Sequence, residues 1–173
     1  MQRVYDDEFI TAEDRALFDE AIDRIPYRNT FVHNDFHTKN IMVSGDDLIL
    51  IDVGEAGLGN PINDLLVSYM HFVEFGASMP DRIKAVYSQD MGIDFKTLAT
   101  IWDIIMREYF GTSDKDTLQH YSDIMSGYTS IMMFETSTVG ARHGDREAGR
   151  KCAERYMYRI REAADTLKPI EGI

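Results

Sequence analysis

Apolar and polar positions along the chain separate it into one early helix, a short strand pair and a long helical remainder. Ala16, Leu17, Ala21, Ile22 and Ile25 recur at helical spacing until Pro26 ends the run, and Thr11 precedes them as an N-cap with Asp14 in the first turn. Two unbroken apolar runs follow, Ile41-Met42-Val43 and Leu48-Ile49-Leu50-Ile51, around Gly45-Asp46-Asp47. They read as a hairpin between two buried strands. Residues 53–63, with three glycines and one proline, read as a loop. From Asp64 the period is helical: Leu65, Leu66, Tyr69, Met70, Phe72 and Val73 up to Gly76, then Pro80 to about Ser88, then Phe95 through Tyr109 up to Gly111. A further helix runs from Asp114 or Asp116 through Phe134, and a last one from Asp145 to Leu167, stopped by Pro169. The pattern predicts a mainly α (α+β) chain with a small embedded β-hairpin, residues 1–173 forming a single domain without repeats or linkers.

The polar residues of the early part stand at the ends of apolar runs. Phe31 and Val32 lead into His33, Asn34 and Asp35; Asn40 precedes the first hairpin strand, and Asp52 leaves the second. Strands would hold an amide and two carboxylates over a common cleft. Asn40 and Asp52 are hard oxygen ligands suited to Mg2+ carried on phosphates, which leaves Asp35 to orient or deprotonate a hydroxyl.

His33-x-Asp35-x-x-x-x-Asn40, followed twelve residues later by Asp52-Val53-Gly54, resembles the catalytic loop and metal-binding motif of kinase-like phosphotransferases. The short spacing, with Gly59-x-Pro61-x-x-Asp64-Leu65 beyond it, is similar to the aminoglycoside phosphotransferase and choline kinase branch. The resemblance implies a helical C-terminal lobe of a protein kinase-like fold. It implies Asp35 as catalytic base, Asn40 and Asp52 as ligands of Mg2+ bridging the phosphates of ATP, and Met42 and Ile51 beneath the adenine. His33 would hold the catalytic loop together, and Asp64 would brace it from a helix start. Two departures stand out. Asn34 replaces the usual glycine. The family's smaller N-terminal lobe, with its glycine-rich loop and lysine, has no counterpart in the 32 residues before His33, which contain neither glycine nor lysine. The chain is therefore expected to be the C-terminal lobe alone: a truncated piece, a split gene product or a remnant.

Composition narrows the partners. A net charge of −12 argues against nucleic acid. Positions 1–70 hold 14 acidic against 5 basic residues and the remainder 16 against 13, so acidity concentrates around the candidate site and favours a cationic small-molecule acceptor, unless it is ordinary surface charge. One cysteine, Cys152, excludes an internal disulfide. No apolar run spans a membrane, and the first residues lack a signal-peptide core, so the expectation is a cytoplasmic protein. An exposed interlobe face would invite a homodimer or a separate N-lobe partner.

Other candidates carry less. Gly57-Leu58-Gly59 lacks the spacing of a phosphate cradle, and Glu55 reads as an exposed loop carboxylate. His33, Asp35 and His37 alternate in the manner of a transition-metal site, but the family motif accounts for two of them and leaves His37 as a solvated loop residue. His71, His120 and His143 read as isolated. Lys39 is either solvated or near a transferring phosphoryl group. Met125, Met132 and Met133 with Tyr121 and Tyr128 suit helix core better than a cation pocket, and Arg142, His143, Asp145, Arg146, Arg150 and Lys151 suit a wet helix start. The function expected is ATP/Mg2+-dependent phosphoryl transfer to a hydroxyl of an aminoglycoside-like molecule or amino alcohol, with a missing N-lobe needed for activity. The alternative is a catalytically inactive stand-alone ligand- or protein-binding lobe.

Overall fold

A computed structural model describes residues 10–165 and Leu167, with the backbone alone for residues 140–143. It is mainly helical, with two small two-stranded sheets. The elements run α1 (Ala12–Asp23), β1 (Thr30–Val32), β2 (Ile41–Ser44), β3 (Asp47–Leu50), β4 (Gly57–Gly59), α2 (Ile62–Tyr69), α3 (Phe75–Ser78), α4 (Asp81–Met91), α5 (Phe95–Phe110), α6 (Lys115–His143) and α7 (Arg146–Glu162). Short 3-10 turns precede β2 (Thr38–Asn40) and follow β3 (Val53–Glu55), and a π-helical turn, Met70–Glu74, joins α2 to α3. No helix among the described residues is long and apolar enough to cross a membrane.

The chain divides into two compact units, the first made of residues up to Pro26 and from Asp123 onward, the second of Tyr27–Ser122. In the first unit α1 opens with a capping box, Thr11 and Asp14 exchanging backbone and side-chain hydrogen bonds. Asp14 also takes two hydrogen bonds from the Arg161 guanidinium at 2.8 and 2.7 Å, which lower its pKa. Phe18 packs on Phe134 at 5.2 Å, and the Tyr128 hydroxyl donates to the Ala21 carbonyl. Met125 and Tyr128 are core here, not a cation pocket.

Helix α6 continues well past Phe134, and Thr136 and Ser137 there donate to carbonyls four residues back, so their hydroxyls are satisfied within the helix. The last helix begins after the Asp145 cap and stops at Glu162, earlier than Leu167, with Ala163 as its C-cap. Pro169 and the side chains of Arg142 and His143 lie outside the described residues. Arg150 and Lys151 pair with Glu154 and Glu147 along the helix surface.

The second unit corrects three expectations. The glycine-rich stretch is not all loop: β4 pairs antiparallel with β1, Thr30 facing Gly59, Phe31 facing Leu58 and Val32 facing Gly57. Glycine weakens a strand but permits close approach, and a Cβ on Gly59 would come 3.1 Å from Val32. The helix from Ile62 does not close at Gly76 but runs to Ser78. A Cβ there would lie 2.9 Å from the Phe95 ring, so this glycine admits a neighbouring helix; the break comes instead at Met79, forced out of helical geometry by Pro80. Finally, the β2–β3 hairpin forms in register, Ile41 with Leu50 through Ser44 with Asp47, but its strands are not buried. Val43 and Leu48 are 72% and 74% exposed. Two strands joined by a two-residue turn bury little on their own, and no other described element covers these side chains.

Candidate functional site

The candidate site lies within the second unit, on residues 33–40 between β1 and β2, with α2 beside them. Strand β1 ends at the buried His33, whose Nε2 lies 2.9 Å from the Ile51 carbonyl. A carbonyl only accepts, so Nε2 donates, and the buried Nδ1 has no hydrogen-bond partner among the described residues. Asp64, in the first turn of α2, accepts from two successive loop amides: His33 N–H at 2.9 Å and Asn34 N–H at 2.7 Å. Its carboxylate closes the start of the loop as an N-terminal cap closes a helix.

Asn34 takes a left-handed backbone (φ 62°), the conformation a glycine adopts most easily, and asparagine is among the few other residues that tolerate it. The departure from glycine thus leaves the turn intact. It also adds a brace, because the Asn34 amide donates to the Glu55 carbonyl at 2.8 Å and Asn63 donates to Asn34 Oδ1 at 3.3 Å. Further along, the Ser68 hydroxyl of α2 donates to the Phe36 carbonyl at 2.9 Å.

Asp35 and Asn40 are brought together directly. The buried Asn40 spends both hydrogens of its amide on Asp35, one on the backbone carbonyl at 2.9 Å and one on Oδ2 at 2.8 Å. Its Oδ1 is the acceptor that remains. The Asn40 carbonyl accepts from Ile51 N–H at 2.9 Å, which ties the loop's end to the end of β3 and sets Asp52 one residue beyond that bond. Asp52 is exposed, sits in the left-handed region (φ 58°), and leaves its carboxylate uncommitted to the 3-10 turn that follows. Met42, Ile49 and Ile51 share one hairpin face by register and alternation, all exposed, while Ile41, Val43, Leu48 and Leu50 take the other.

Three residues gain contacts that sequence spacing did not show. The His37 side chain is only 12% exposed, with Nε2 3.3 Å from Asp35 Oδ1, whereas the Asp35 side chain is 41% exposed. His71, far from isolated, stacks on His37 with centroids 4.3 Å apart and bonds the Tyr87 hydroxyl at 2.7 Å. Burial first, then the neighbouring His37, holds the His71 pKa down at about 4; burial raises that of Tyr87. Lys39 is exposed, its ammonium 5.6 Å above the Tyr87 ring. The signal for this cluster lies in α2 and the π turn. Asp64, Ser68 and His71 interrupt an apolar helix at spacings of four and three, one face, and each of them meets the 33–40 loop.

Among the described residues no three His, Cys, Asp or Glu side chains cluster as a metal site. Asn40 Oδ1 and the Asp52 carboxylate are hard oxygen ligands of the kind that share a magnesium ion with phosphates and water. A family model described as the phosphotransferase enzyme family matches residues 3–96, a span that holds the whole loop, both sheets and Asp64. Neither a curated protein nor a solved structure matches the chain.

Proposed function

The chain belongs to the phosphotransferase enzyme family, and from that premise we propose that residues 27–122 carry the transfer machinery of an ATP- and Mg2+-dependent kinase acting on a hydroxyl of a small molecule. The observation that carries this reading is the division of labour at Asn40. Its amide nitrogen holds two oxygens of Asp35, its Oδ1 is left as an acceptor, and its backbone carbonyl binds Ile51 N–H, one residue before Asp52. Asn40 Oδ1 and the Asp52 carboxylate would hold Mg2+, which when bound neutralises charge on the transferred phosphoryl group. Asp35 receives the acceptor's hydroxyl proton or orients it, with its carboxylate fixed by Asn40 through Oδ2 and its side chain still 41% exposed. Met42, Ile49 and Ile51 offer an apolar strip against which an adenine ring would lie. The concentration of acidic residues before position 71 favours a cationic acceptor, an amino alcohol or an aminoglycoside-like molecule.

Residues 1–32 hold neither glycine nor lysine, so in this reading a further segment or chain supplies the glycine-rich loop and lysine that cover the phosphates. The exposed hairpin favours a second reading, a lobe that binds a ligand or protein and transfers nothing. Calorimetric titration of Mg-ATP into the chain, beside Asp52→Asn, separates them. Binding that the substitution weakens tenfold or more supports the kinase reading. Equal binding to both proteins would overturn the assignment of Asp52.

A further inference from the structure

We infer that His37 is the positioning residue of Asp35: it presents Nε2–H to one carboxylate oxygen while His71 and Tyr87 hold its ring in place. The inference rests on the reading of Asp35 given above and assigns a role to a side chain outside the motif.

Donor arithmetic fixes the ring. Lys39 N–H donates to His37 Nδ1 at 3.2 Å, so that nitrogen carries a lone pair and the single proton of the neutral imidazole is on Nε2. Nε2 has two polar neighbours, Asp35 Oδ1 at 3.3 Å and Asn40 Nδ2 at 3.5 Å. Asn40 Nδ2 is a donor only and lies within 2.9 and 2.8 Å of two Asp35 oxygens, so it cannot accept the ring proton, and Asp35 Oδ1 is the acceptor nearest to Nε2. Nε2–H therefore faces the carboxylate. The two oxygens of Asp35 then have different neighbours, Oδ2 the Asn40 amide at 2.8 Å and Oδ1 the His37 ring nitrogen at 3.3 Å, which bracket the group before any substrate arrives. Fixing a reacting group in this way removes rotational freedom that transfer would otherwise have to remove.

The backing is built as well. His71 lies against the His37 ring at an interplanar angle of 28°, its Nδ1 bonds Tyr87, and the edge of Phe75 meets it at 4.8 Å. The groups facing His71 are His37, Asp35, Lys39 and Tyr87; their net effect with burial leaves it neutral at neutral pH, so the stack places no charge behind His37. The face of α2 that holds the loop backbone through Asp64 and Ser68 continues into the π turn, which holds the loop's chemistry through His71.

The test is long-range nitrogen–proton NMR at neutral pH on the chain labelled with ¹⁵N-histidine, the ring signals assigned by single substitutions. The expected signature is a His37 ring protonated on Nε2, with that proton shifted downfield by the carboxylate. Asp35→Ala should remove the downfield shift yet keep the tautomer, which Lys39 N–H sets; Asp35→Asn, which retains an acceptor oxygen, should remove less of it and serves if the alanine variant does not fold. His71→Leu should let the ring turn over and average the signatures of its two nitrogens. A His37 ring protonated on Nδ1, or an Nε2 proton indifferent to Asp35→Ala, overturns the inference. Mg-ATP titration of the same samples reports separately: an intact signature without nucleotide binding counts against the kinase reading, and a lost signature with binding intact counts against the role of His37.

Discussion

Residues 33–40 and residues 41–51 follow one another in the chain and are held in opposite ways. In the first stretch the backbone makes almost no regular structure, yet its polar groups are taken up one by one: Asp64 by two amides, Ser68 by the Phe36 carbonyl, Asn40 by Asp35, His37 by Lys39 N–H. In the second the backbone forms a regular hairpin, yet its apolar side chains lie in water. Regular secondary structure and tight fixation are separate properties. A loop that must hold reactive groups is secured by hydrogen bonds to a rigid helix, whereas a strand pair with perfect register has no packing partner among the described residues.

The contrast breaks first at Asp64. Asp64→Ala leaves two loop amides without their acceptor, and the expected loss is about 2–5 kcal/mol in denaturant unfolding, the sum of two deprived donors. A loss below about half a kcal/mol would show that the loop is held by something other than these bonds. The next effect is one of pH. His71 has a folded pKa of about 4 against 6.5 when unfolded, so its contribution is complete above pH 6.5. As the pH falls from there toward 4 the unfolded chain takes up the proton first, and up to about 3 kcal/mol of stability is lost. Thermal melts across that range should show the slope in the parent and lose most of it in His71→Phe; equal slopes would remove His71 from the account. The smallest effect is expected on the hairpin. Val43→Ser with Leu48→Ser should change stability by no more than about 0.5 kcal/mol per site, because neither side chain is buried. A larger loss by denaturant unfolding would mean that these faces are covered in solution.

Much of this was legible from residue types alone. The N-cap at Thr11, the start of the last helix at Asp145 and the helix stop at Gly111 are local chemistry, and local chemistry is written in neighbouring residues. The exposed hairpin was not legible, because an unbroken apolar run looks the same whether it is covered or bare. Gly76 misled for a related reason: a glycine that ends a helix and one that admits an aromatic ring are the same letter. The His37–His71–Tyr87 stack joins residues far apart in sequence, so only the spacing of Asp64, Ser68 and His71 hinted at it. That hint was real, since a hydroxyl and an imidazole on the buried side of an apolar helix need partners.

Ile51 has a role out of proportion to its side chain. Its amide donates to Asn40 and its carbonyl receives the His33 ring, so one peptide segment at the foot of the hairpin fastens both ends of the loop. A bare strand pair is the kind of element that opens before the rest of a domain does. Each excursion that reaches Ile51 releases both of these bonds together, so the exchange rate of that single amide with solvent deuterium measures how often the loop is cut loose from the hairpin.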